Sequence, residues 1–262
     1  MADIISGPRA WWILAALAAI AALAGVFTVQ PLDRDESRYA QATAQMLETG
    51  DFIDIRFQDD ARHKKPVGIY WMQAVTVGLL SDATDREIWA YRLPSVIGAI
   101  LAVLGCFWAG TRLMSREAAF VGAAMLAVSS LLAAEAGIAK TDAMLAGLTT
   151  LAMAALVQLR HGGGKRAALA FWAMLGLGIL VKGPITPMVA GLATLALVAW
   201  ERRIDWLKPL FFWPGPVLAA LIVLPWIISI EIATGGNFLR GAFLDDLAPK
   251  LSSGDEGHGG WP

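Results

Sequence analysis

Long apolar runs constrain this chain more than any other feature. Residues 11–29, 93–109, 118–134, 143–159, 167–181, 185–200 and 210–230 are almost free of charge. A bilayer-spanning helix needs ~20 mostly apolar residues to cover ~30 Å of hydrocarbon. Several runs fall short of that length, but they are rich in Gly and Ala, and small residues let membrane helices pack closely. Only 16% of the 262 residues are charged, against about 25% in soluble domains. The expected fold is therefore an all-α integral membrane protein with about seven transmembrane helices. A signal peptide at 11–29 is the poorer reading, because signal h-regions run only about 7–15 residues.

Lys and Arg set the expected orientation. With the N-terminus inside, the inner side receives Arg9, Arg112, Arg116, Arg160, Lys165, Arg166, Arg202, Arg203 and Lys208. The short outer turns receive only Lys140 and Lys182, which is the positive-inside asymmetry. The net charge of −1 points to no nucleic-acid partner. The single cysteine, Cys106, sits in an apolar run and can form no internal disulfide. Gly162-Gly163-Gly164 lacks the following Lys-Ser/Thr of a phosphate loop and reads as a turn.

The first outer loop, 30–90, is expected to hold one or two interfacial amphipathic helices. Tyr39, Thr43, Met46 and Leu47 are spaced i, i+4, i+7, i+8 and predict a helix over 36–47, with Asp33 and Glu36 as a capping pattern. The apolar piece 66–80 is short for a span and predicts a second interfacial helix. Residues 1–233 are expected to form the transmembrane module, and 234–262 the start of a second outer loop.

In this orientation Asp35, Glu36, Lys64, Lys65, Asp142, Lys182, Glu256 and His258 share one external face. Each has a plain structural explanation beside a chemical one. Asp35 and Glu36 start a helix, yet a carboxylate held at the membrane surface can also accept a proton from an incoming hydroxyl or amine. Lys64 and Lys65 anchor an aromatic helix by snorkelling, yet two ammonium groups can also neutralise a phosphate leaving group. Thr141 or Asp142 serves as a helix N-cap. Lys182-Gly183-Pro184 is a helix break, and a lysine there needs a partner or water. No HExxH or cysteine pair is present, so no metal site can be argued from spacing and the cofactor is unknown.

Taken in order, these segments follow a known pattern. Asp35-Glu36 follows the first span, Lys65-Pro66 leads an aromatic helix, and Arg92-Leu93-Pro94 opens the next span. Thr141-Asp142 occupies an outer turn, Lys182-Gly183-Pro184 breaks a helix pair, and Pro225-Trp226 nears the end of the last run. This order resembles the N-terminal part of bacterial glycosyltransferases of the GT-C class, in the protein O-mannosyltransferase and aminoarabinose-transferase superfamily. The resemblance implies an enzyme of the bacterial inner membrane that moves a sugar from a polyprenyl-phosphate donor to a lipid, glycan or protein acceptor on the outer face. It also implies Asp35 as the catalytic carboxylate, with Glu36, Arg38, Lys64, Lys65, Asp142, Lys182, Glu256 and His258 binding substrate. The sequence departs from the pattern in reading Lys65-Pro66-Val67 where the family has Lys-Pro-Pro. Members are about twice as long, so the chain is expected to be a truncated or N-terminal part. A carrier or flippase for an anionic lipid or solute is the alternative. Such proteins hold substrate at the midplane within internal repeats, and neither feature is visible here.

Overall fold

The structure, a computed structural model, describes residues 7–31, 34–63 and 65–241. Its elements in order are α1 (Arg9–Leu23), α2 (Arg34–Thr49), β1 (Arg56–Phe57), β2 (Asp60–Ala61), α3 (Gly68–Leu80) and α4 (Ile88–Leu113). They continue with α5 (Arg116–Ala127), α6 (Ser130–Ala136), α7 (Asp142–Arg160), α8 (Lys165–Lys182) and α9 (Ile185–Glu201). A 3-10 helix (Asp205–Phe211), α10 (Pro214–Ala233) and the short α11 (Phe238–Gly241) close the described chain.

Every apolar run contains a helix, and so do both segments expected in the first outer loop. Among the described residues three helices, α4, α7 and α10, are long and apolar enough to cross a membrane, and the α5–α6 pair makes a fourth crossing if it is counted as one bent span. Seven spans were expected. Of the other candidates, α1 and α9 have 15 and 17 residues, and α8 carries Lys165, Arg166 and Lys182 at its ends. Two local features differ from expectation. The run 118–134 is two helices bent by 55°, because Ser129 starts a new helix there by accepting a hydrogen bond from the Leu132 N–H at 3.3 Å. The first outer loop also contains a two-residue β1–β2 hairpin, with Arg56 opposite Ala61.

Helices α4 and α7 form the spine. Gly98 packs against the backbone of Ala143 and Met144, and Gly105 against Thr150 and Leu151. Further along, Arg112 Nε donates to Gln158 Oε1 at 2.7 Å. These contacts advance together along both helices, so α4 and α7 run parallel. Helix α8 returns antiparallel, since Lys182 at its end pairs with Asp142 at the start of α7. Helix α9 runs back again, and its last residue, Glu201, pairs with Arg160. The bundle thus has two polar ends. One collects Arg92, Lys140, Asp142 and Lys182, and the other Arg112, Gln158, Arg160 and Glu201.

Candidate active site

Helix α2 crosses the first of these ends. Its inward face is Glu36, Tyr39, Thr43 and Met46, each buried, at the i, i+3, i+4 spacing of one helix side. Thr43 Oγ1 donates to Gln73 Oε1 of α3 at 2.7 Å in a buried pair, and the Tyr39 and Tyr70 rings lie 5.3 Å apart. Asp35 and Glu36 sit in the first turn, where acidic side chains meet the positive end of the helix dipole. Successive residues on a helix point in directions about 100° apart, so the two carboxylates have different fates.

Asp35 faces outward. Its side chain is 57% exposed and lies 3.5 Å from Arg38 Nη1. Glu36 faces inward and is 1% exposed. Glu36 Oε1 accepts from Arg92 Nε at 2.7 Å and from the Ala139 N–H at 2.8 Å, while Oε2 accepts from Arg92 Nη2 at 3.1 Å. Glu36, expected to bind substrate, is thus deeply buried with both carboxylate oxygens engaged by the protein.

Beside Asp35 lies a cluster that the sequence pattern did not single out. Arg62 sits over the Tyr39 ring, 5.1 Å from its centroid, and its Nε donates to the Tyr70 hydroxyl at 3.1 Å. Burial pushes both phenols above the ordinary tyrosine range. Tyr70 raises Tyr39 further, whereas Arg62 and the nearby Thr141 hydroxyl act to lower it. For Tyr70 the opposing pull comes from Arg62. Asp35, one helical turn before Tyr39 on α2, acts to raise both phenols. The phenols accordingly remain neutral hydrogen-bonding groups beside a permanent cation. A sequence signal was available, because Tyr39 and Tyr70 are two of only three tyrosines in the chain.

Thr141 connects this cluster to the next. It occupies the N-cap position of α7 but makes no side-chain cap, so its hydroxyl is turned to Tyr39 instead. Asp142 follows as the first helical residue and is gripped from two sides. Lys182 Nζ donates to Oδ1, and Lys140 Nζ is 3.4 Å from Oδ2. Lys140 also lies 3.2 Å from Glu135 Oε2. The capping explanation for Thr141 and Asp142 thus gives way to an ion-pair network. Gly183 ends α8 at φ +66°, a left-handed value that glycine adopts without a Cβ penalty.

Lys65 is half-buried, in the bend that leads into α3. At that entry a Cβ on Gly68 would come within 2.7 Å of the Leu180 carbonyl. The segments carrying Lys65 and Lys182 are therefore in contact. The structure thus gathers Asp35, Arg38, Lys65, Asp142 and Lys182 on segments that meet at one end of the bundle, and turns Glu36 inward. Lys64, Glu256 and His258 lie outside the described residues. Among the described residues no group of three or more His, Cys, Asp or Glu could hold a metal ion.

Comparison with known proteins places the chain in a family and a fold. Residues 64–228 match the family model described as dolichyl-phosphate-mannose-protein mannosyltransferase. The undecaprenyl phosphate-alpha-4-amino-4-deoxy-L-arabinose arabinosyl transferase of Pseudomonas aeruginosa is 30% identical over 246 residues, covering 89% of this chain and 44% of that protein. The enzyme of the same description from Edwardsiella ictaluri is 30% identical over 229 residues, covering 84% of this chain and 40% of its own. The crystal structure of ArnT from Cupriavidus metallidurans bound to undecaprenyl phosphate superposes with a TM-score of 0.81 at 23% identity, over 93% of this chain and 45% of that one. Its apo form gives the same TM-score at 22% identity. The chain spans less than half the length of these relatives. The fold is that of the membrane-embedded ArnT, and the chain belongs to the dolichyl-phosphate-mannose-protein mannosyltransferase family.

Proposed function

We propose that this chain carries the catalytic carboxylate of a glycosyltransferase that moves a sugar from a polyprenyl-phosphate donor to an acceptor at the outer face of the bacterial inner membrane. The observation that carries the reading is an exposed Asp35 beside a cationic and phenolic cluster, in a chain of this family. Asp35 takes the proton from the acceptor nucleophile, whose freed lone pair attacks the anomeric carbon. The bond from that carbon to the phosphate oxygen breaks, and the polyprenyl phosphate leaves with its electron pair. A phosphate needs no proton to leave if cations meet its developing charge, and Lys65 with Arg62 supplies them. The names of the relatives support an undecaprenyl phosphate-linked donor. The crystallised ArnT with undecaprenyl phosphate supports a lipid-phosphate site within this fold.

The test compares two assays on the protein in nanodiscs and in sealed vesicles. Binding of an undecaprenyl-phosphate-linked sugar, with release of undecaprenyl phosphate when acceptor is added, is the expected result. Movement of a labelled lipid across the vesicle bilayer without sugar release would replace this reading with that of a carrier.

A further inference from the structure

The buried ion pair between Glu36 and Arg92 joins elements far apart in sequence, all of them next to the candidate site. Both side chains are 1–2% exposed. Arg92 lies one turn into α4 and uses Nε and Nη2 on the Glu36 carboxylate. Its Nη1 reaches the Val26 and Val29 carbonyls, at 2.8 and 2.7 Å, in the segment that follows α1. Glu36 Oε1 reaches past Arg92 to the Ala139 N–H, the residue before Lys140-Thr141-Asp142. Three positions after Arg92 on the same helix face, Ser95 Oγ donates to the Ile138 carbonyl at 2.7 Å and lies 3.2 Å from the Lys140 carbonyl. One carboxylate therefore ties the first turn of α2, which bears Asp35, to the turn that bears Lys140, Thr141 and Asp142.

We propose that Glu36 and Arg92 are positioning residues that fix the first turn of α2, and with it Asp35, relative to the turn bearing Lys140, Thr141 and Asp142. The Glu36 contacts carry this, together with two physical arguments. The first turn of a helix lacks intrahelical acceptors for its N–H groups and frays readily, so Asp35 depends on outside contacts for its direction. Glu36, its immediate neighbour, supplies a buried contact that fixes the rotation of α2 about its own axis. The arrangement also needs the guanidinium fork, because its hydrogen bonds leave in several directions from one rigid plane, and a lysine ammonium cannot copy that.

The inference rests on the reading of Asp35 as the base, so its test includes a measurement that does not need turnover. In hydrogen exchange on the purified protein, Glu36→Gln is expected to lose amide protection at 34–40 and at 137–141 while the middle of α7 keeps it. In the transfer assay the same variant is expected to lose kcat by about 10²-fold, the scale of a small misplacement of a reacting group, with donor KM unchanged. Glu36→Gln combined with Asp35→Asn should be no slower than Asp35→Asn alone, since a residue acting through another adds nothing once that other is gone. If Glu36→Gln does not yield folded protein, Arg92→Lys keeps the charge without the fork and is expected to show the same exchange pattern. Unchanged protection in both segments would overturn the inference, as would a double variant slowed multiplicatively. Full activity of Asp35→Asn would instead sink the base reading, and the exchange measurement would still decide whether the pair organises the two turns.

Discussion

Two adjacent carboxylates, Asp35 and Glu36, meet different surroundings because a helix turns them apart. The sequence offered both as one acidic pair. It could not say which faces inward, because the partner that decides it, Arg92, lies 56 residues away. Arg62 and Tyr70 were hidden for a related reason, being joined by a contact that only the fold of the loop creates. The separate tasks proposed for Asp35 and Lys65 are open to direct trial. Asp35→Asn keeps the shape and removes the base, so sugar transfer should fall by about 10²–10⁴-fold while binding of the lipid-linked donor persists. Lys65→Ala removes a cation from the phosphate and should weaken donor binding together with turnover. Lys65→Arg should recover part of both, because charge returns with altered geometry. Donor binding and transfer measured on each variant check the assignment. Equal loss of donor binding in Asp35→Asn and Lys65→Ala would show that the two residues do not divide the work this way.

Among the elements, helix positions were the most legible part of the sequence, because an apolar run in a membrane has few options besides a helix. The bend in 118–134 was not legible, since Ser129 reads as one more small residue until its hydroxyl is seen capping α6. The contact between α4 and α7 depends on glycine rather than on apolar bulk. A Cβ on Gly98 would overlap Met144 Cα, and one on Gly147 would overlap the Gly98 carbonyl oxygen. Gly98→Ala should therefore force the two helices apart and destabilise the protein by about 1–3 kcal/mol, as overpacking does. Gly78→Ala is the control. Nothing lies within 4 Å of its Cβ position on α3, and Ala is the better helix former by up to about 1 kcal/mol. Thermal unfolding in detergent is the measurement. A neutral Gly98→Ala would mean that the close approach of α4 and α7 has slack to give.

At the scale of the whole molecule, charge is sorted between two ends, and that sorting predicts how the bundle sits in the membrane. Parallel packing of α4 with α7 puts Arg112, Gln158, Arg160 and Glu201 together, opposite Asp142 and Lys182. The 3-10 helix and the turn before it add Arg202, Arg203 and Lys208 to the first group, next to an exposed Trp200, Phe211 and Trp213. Aromatic side chains beside basic ones are typical of a cytoplasmic membrane boundary. The end that bears Asp35 should then face away from the cytoplasm. Single cysteines in a Cys106→Ser background can read this. Asp59→Cys lies exposed in the β1–β2 turn, and Arg203→Cys is exposed at the opposite end. Gly164→Cys is the better probe of the α7–α8 turn, because nothing lies within 4 Å of its Cβ position, whereas a Cβ on Gly163 would meet the Gln158 carbonyl. A membrane-impermeant maleimide applied to intact cells should modify position 59 and leave 164 and 203 unmodified until the membrane is opened. Labelling at 164 or 203 in intact cells would invert the orientation, and the candidate active site would then face the cytoplasm.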